Sequence, residues 1–318
     1  MKLLNPSAVL AAAGLSVFSA GTRLEFAPTE GEVLTKTFES KFEGKLESVT
    51  FPNDENVSVG DVDVAFLQRL RVTDRYVAMG SGRPDELQRA YDEIRRTAAF
   101  QGQFMGGDQE AETEGRSELE GKTVLFTWDE KRRRYHTEFE ESGPHLDLLR
   151  DLVEDTDLRR FLPPDEVEED ETWKLEAGVL RDLFFAGGDL KIETKGGPGE
   201  LLERAAEDLE GEIVCSFWGT EGAGTLAIIE MQGDVSAEAE EERQTEFGPS
   251  WRRIQFGWRF KGELVWDLER GHFRSLELEG DLTGSMEGTS PSKEYSWDWR
   301  TSLSGKVTVT ASATTEDC

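Results

Sequence analysis

Residues for metal and thiol chemistry are scarce in this sequence, whose 318 positions hold two cysteines and three histidines. Zinc and redox sites need such residues in pairs at short spacing, and neither Cys215 and Cys318 nor His136, His145 and His272 provide one. No HExxH is present either, so neither a metal nor a cofactor is expected, and the isolated histidines read as surface or turn residues. Positive charge is also short: 36 Lys plus Arg stand against 66 Asp plus Glu, a net charge of -30. That field repels phosphate backbones and anionic bilayers, which argues against a nucleic-acid partner. The apolar run over residues 8–18 is too short to span a bilayer, so no transmembrane segment is expected.

Motifs for covalent catalysis are missing in the same way. A serine hydrolase presents its nucleophile as G-x-S-x-G. Gly80-Ser81-Gly82 and Gly284-Ser285-Met286-Glu287-Gly288 lack that spacing and read as turns. Glycines 219, 222 and 224 lie between two β-like runs, with no lysine and no following helix to receive phosphate, and read as a hairpin. A glycosidase needs two carboxylates across a cleft, but among so many acids no pair is singled out, and runs such as 165–171 and 238–242 read as solvated faces. Asn53, Asp54, Asp61 and Asp63 offer oxygen to calcium without the EF-hand spacing. The basic run 131–134 reads as a solubilising hairpin tip. A non-enzymatic protein is expected.

What is present begins with an export signal. Lys2 precedes the apolar run, and Ser19, Ala20 and Gly21 follow it, the layout of a secretory leader over residues 1–21. No cysteine lies near that site for lipid anchoring, so a periplasmic or extracellular destination is expected. Export permits one disulfide between Cys215 and Cys318, although Cys215 also alternates with Ile213 and Phe217, where a buried thiol serves as a small hydrophobe.

Beyond the leader the pattern is β. Short strands are expected at residues 33–38 and 45–51, and a long or bulged one from Val62 to Met79. Residues 86–100 are ambiguous, since Leu87, Tyr91 and Ile94 have helical spacing between strand-like flanks. A hairpin is expected around residues 129–134. Two helices are expected, one near 144–160 with Leu146, Leu149, Leu152 and Val153 along a stripe, one over 199–209 with Leu201, Leu202, Ala205 and Leu209 inward. From Gly211 onward alternation is strict through Ile254, Phe256, Trp258, Phe260, Leu264, Trp266 and Leu268, then through Val307 and Val309, as an antiparallel sheet with one wet face requires. The expected fold class is therefore α+β, predominantly β: antiparallel meander sheets, curved, with two short helices packed on one side. The chain divides into a β-rich region at 22–198 and a helix plus meander at 199–318, which are also compatible with one continuous domain.

The tryptophans Trp251, Trp258, Trp266, Trp297 and Trp299 are the most informative group. They read as the core face of a sheet or, alternatively, as the lining of a ligand site. Three passages, GTRLEFAPTEGEVLTKTF, DLRRFLPPDEVEEDETWKL and GELVWDLERGHFRSLELEG, resemble uncharacterised exported bacterial β-rich proteins. The layout is similar to that of the LolA and LppX group of periplasmic carriers, a curved antiparallel sheet with helices over one side. That resemblance implies a fold and transfers no binding residue. The functional expectation is an exported binding protein holding an apolar cargo, with a lipid or envelope component as partner. The alternatives are an acidic structural or interaction protein of the envelope, or a polysaccharide-active hydrolase using a carboxylate pair.

Overall fold

A computed structural model describes residues 21–50, 58–59, 62–104, 107–141, 145–192, 204–205, 208–291 and 296–315. Thirteen strands form one antiparallel sheet: β1 (Val33–Thr50), β2 (Ser58–Val59), β3 (Val62–Met79), β4 (Pro84–Phe104), β5 (Gly107–Arg116), β6 (Thr123–Asp129), β7 (Arg134–Phe139), β8 (Thr172–Glu176), β9 (Glu210–Glu221), β10 (Leu226–Thr245), β11 (Gly248–Asp267), β12 (His272–Pro291) and β13 (Ser296–Thr315). The order is β7-β6-β4-β3-β1-β13-β12-β11-β10-β9-β8, with β2 on β1 and β5 on β4. Pairing of β1 with β13 joins the two ends of the described chain, so the sheet runs across the 198/199 division without a break.

Alternation fixes which face is inside. Leu34, Phe38 and Phe42 of β1 and Leu70, Val72 and Tyr76 of β3 are buried, and so are Ile254, Trp258, Phe260, Leu264 and Trp266 of β11. The opposite face carries cross-strand ion pairs such as Arg259–Asp234, Arg300–Glu287 and Lys306–Glu279.

The sheet bends around this inner face. β3 and β11 are separated by three strands, roughly 19 Å in a flat sheet. Yet Phe184 accepts a hydrogen bond at its carbonyl from Gln68 Nε2 of β3 (2.9 Å) and lays its ring 5.3 Å from that of Trp258 on β11. A line of inward glycines crosses the sheet where it bends. Gly44 faces Gly305, and Gly280 and Gly262 continue the line, each two residues along from the last in register. A Cβ at Gly280 would lie 2.7 Å from Phe260 Cα and from Trp258 Nε1, so the curvature there needs the missing side chain.

The described parts of the connection between β7 and β9 pack on the inner face, where the first of the two expected helices does not form. Residues 145–160 hold only a 3-10 turn at Leu146–Leu149, then irregular backbone with left-handed Asp151 and Leu158, and the start of a second 3-10 turn at Arg159–Phe161. Leu146 and Val153, expected in a buried stripe, are exposed, while Leu148 and Leu149 are buried. Glu154, Thr156 and Asp157 turn inward to buried partners on the sheet, and those tertiary bonds override local helical spacing. One α-helical turn, α1 (Arg181–Phe184), follows β8. Of residues 199–209, Arg204, Ala205, Asp208 and Leu209 are described; Arg204 and Ala205 are helical, and Ala205 and Leu209 are buried.

Other differences have similar causes. The two strands expected at 33–38 and 45–51 are one, because β1 pairs without interruption from Leu34 to Glu47. The glycines at 284 and 288 sit inside β12, not in a turn. Residues 86–100 belong to β4.

Candidate functional site

Beyond the glycine line, the inner face is not filled. A part-open cavity of about 400 Å³ lies between the two limbs of the bent sheet. One wall is an aromatic row across three neighbouring strands. Phe42 lies 6.0 Å from Phe66, and Phe66 meets Phe100 edge-on at 5.7 Å. The other wall is Ile254, Phe256, Leu282, Met286 and Leu303, and Leu209 also reaches the space. Many of these side chains, including Phe66, Phe100, Phe256, Leu282, Met286 and Leu303, are only half-buried, which marks an apolar surface without full packing partners.

Trp258 and α1 make the floor. The Trp258 indole lies over Gly280 and stacks on Phe260 at 4.2 Å, and the Phe184 ring packs against it at 5.3 Å. Below this plug the core is solid, with Leu34, Leu70, Val72, Leu180, Leu264 and Trp266 essentially inaccessible. The five tryptophans therefore occupy different places. Trp258 lines the cavity, Trp266 is deep in the packed core, and Trp251 and Trp299 are half-buried at the far ends of their strands, outside the cavity lining. Trp297 falls at a position whose side chain lies outside the described residues. Phe42, Phe66, Phe100, Phe184 and Phe185, which complete the lining, were not among the expected site residues. For Phe42, Phe66 and Phe100 the signal is phenylalanine at inward parity on three neighbouring strands, whereas Phe184 and Phe185 come from α1 and its end.

On the solid side of the plug lies a buried ionic cluster. Lys36 Nζ donates to Asp74 Oδ2 (2.7 Å), Thr156 Oγ1 (3.1 Å) and Asp157 Oδ1 (2.5 Å). Arg89, directly opposite Asp74 in register, grips both of its carboxylate oxygens at 2.7 and 2.8 Å and donates to the Val153 and Glu154 carbonyls. Tyr76 donates to Asp157. Lys36, Asp74, Arg89 and Asp157 are all inaccessible to solvent, and two cations balance two anions. Burial alone would raise the Asp74 carboxyl, but the Arg89 and Lys36 charges and hydrogen bonds outweigh it and hold it at about 2. Glu154 shows the reverse balance: burial pushes it up to about 7 against the pull of Arg159, with Asp155 and Asp157 adding to the rise. The cluster clamps residues 153–157 onto the sheet, and none of its side chains is among those lining the cavity.

The remaining candidates lie elsewhere. His136 and His145 are exposed; His272 is buried rather than on the surface, with Nε2 3.8 Å from Glu32. The Cys215 thiol is buried and free, and burial pushes it up to about 12, which leaves it unreactive; Cys318 lies outside the described residues. Asp63 is exposed, and Asn53, Asp54 and Asp61 also fall outside them. No cluster of three metal-ligating side chains occurs among the described residues, and no described helix is long and apolar enough to cross a membrane. A cleft of about 720 Å³ between residues 23–26 and 162–166 is lined by charges of both signs and lacks a continuous apolar surface.

No family model matches the chain, and no curated protein matches it. Among solved structures it is similar to the InvG secretin domain β-barrel from the Salmonella SPI-1 injectisome, at 9% identity and a TM-score of 0.16. That alignment covers 91% of this chain and 64% of the other, and a likeness at that level carries neither fold nor function across.

Proposed function

We propose that this chain is an exported binding protein that holds an apolar cargo against the inner face of its bent sheet. The apolar cavity between the limbs supports this reading. Its volume falls within the range of small-molecule sites, and its walls are aromatic and aliphatic over almost their whole extent. A cavity of this character stays poorly hydrated until an apolar molecule enters, and each methylene then buried contributes about 0.8 kcal/mol. The leader over residues 1–21 provides the export half of the proposal.

The test is binding of an apolar fluorescent probe to the purified chain, alongside native mass spectrometry for co-purified lipid. Leu282→Trp, which adds bulk at the cavity wall, should abolish probe binding while leaving the thermal midpoint within a few degrees. If the probe binds equally well to a folded Leu282→Trp, or not at all to the wild type, the cargo reading is wrong.

A further inference from the structure

The charge of the cavity is opposite to that of the molecule. Acidic residues outnumber basic ones by 66 to 36 in the chain, yet among the described residues no Asp or Glu lines the cavity, while Lys41, Arg96 and Arg252 do. Two of these three are inward by strand parity. Arg252 precedes Ile254 and Phe256 on the cavity face of β11, and Arg96 lies between the buried Ile94 and Ala98 on β4. They stand on opposing walls.

Their partners differ. Arg96 donates from Nε and Nη2 to the Gln68 side-chain oxygen at 3.0 and 2.7 Å, and Gln68 in turn donates to the Phe184 carbonyl in the cavity floor. Its guanidinium is thereby held at the wall. Arg252 is exposed, and makes no hydrogen bond or ion pair among the described residues. On the outer face of the same strand, Arg253 and Arg259 are both paired with carboxylates.

An apolar chamber with a guanidinium and no carboxylate among its described lining residues favours a ligand with an apolar body and an anionic end, because a guanidinium presents several donors to one carboxylate. Resting on the cargo reading above, we infer that the ligand is a long-chain carboxylate whose head is met by Arg252. The acidic outer surface leaves this lining as the place where such an anion is not repelled.

The experiment compares dodecanoate, dodecanol and dodecyltrimethylammonium by displacement of a neutral apolar probe at low salt, on wild type and Arg252→Gln. The carboxylate should bind the wild type about tenfold more tightly than the alcohol, the gain from one charge-assisted contact. Arg252→Gln should erase most of that preference and leave alcohol binding unchanged. Equal binding of the three amphiphiles, or a carboxylate preference that survives Arg252→Gln, would overturn the anionic-head inference while leaving the cargo reading standing. Failure of all three to bind would sink both.

Discussion

At the scale of single residues, the buried cluster is where pH enters. Folded Glu154 releases its proton at about 7, against an ordinary 4.5. The folded state thus holds a proton that the unfolded chain has already lost, so this residue's contribution is full below pH 4.5 and declines as pH rises towards 7. The loss across that window is about 3 kcal/mol. Asp74 works in the opposite sense: held at about 2 in the fold, it contributes stability above its ordinary 3.8 that disappears as the medium is acidified through 2. Glu154→Gln should therefore flatten the decline in stability between pH 4.5 and 7 and leave the acid limb in place. Urea unfolding at half-unit pH steps reads both, and a variant curve parallel to the wild type in that window would refute the assignment. The cluster was partly legible in sequence. Lys36, Asp74 and Arg89 each interrupt an apolar alternation at inward parity, but Glu154 and Asp157 arrive from a connection whose path no periodicity records.

At the scale of elements, alternation revealed most of the sheet, and its failures have local causes. In β4, Leu87, Arg89 and Tyr91 point inward at odd positions, whereas Ile94 and Ala98 do so at even ones. The parity changes because Arg71 pairs with Glu93 and Val72 with Tyr91, leaving Asp92 as an extra residue in a bulge. Two runs of period two joined by one inserted residue yield the spacing 87, 91, 94, which imitates a helix. Glycine was legible only as punctuation, although the line through Gly44, Gly305, Gly280 and Gly262 marks a bend inside long strands. Gly280→Val should destabilise the fold by about 3 kcal/mol, since its side chain would overlap the Arg259 carbonyl, Phe260 Cα and the Trp258 indole. Gly257→Ala is the matched control. Its Cβ would come no closer than 3.7 Å to any neighbour, so a change within about 1 kcal/mol is expected. Equal effects of the two substitutions in chemical denaturation would remove the glycine line from the account of the bend.

At the scale of the whole molecule, the net charge of -30 acts on everything the short-range contacts have assembled. The outer face pairs some of its acids across strands, as Glu238 does with Arg253, but 66 carboxylates cannot be matched by 36 bases. The excess repels itself and works against the compact state at low ionic strength. Screening reaches that repulsion and leaves the inaccessible Lys36–Asp74–Arg89–Asp157 cluster nearly untouched, because the Debye length applies to charges in solvent. Raising sodium chloride from 10 mM to 0.5 M should therefore stabilise the chain. Relief of about 2 kcal/mol would raise the midpoint of a chain this size by about 3 °C. Chloride is the proper anion for this test, since sulfate would also strengthen apolar burial, and a sucrose control separates exclusion effects from screening. The same titration bears on the cavity from the other side. If guanidinium groups attract an anionic head, added salt should stabilise the empty protein while weakening its hold on the carboxylate, and the alcohol of equal length should show no such loss.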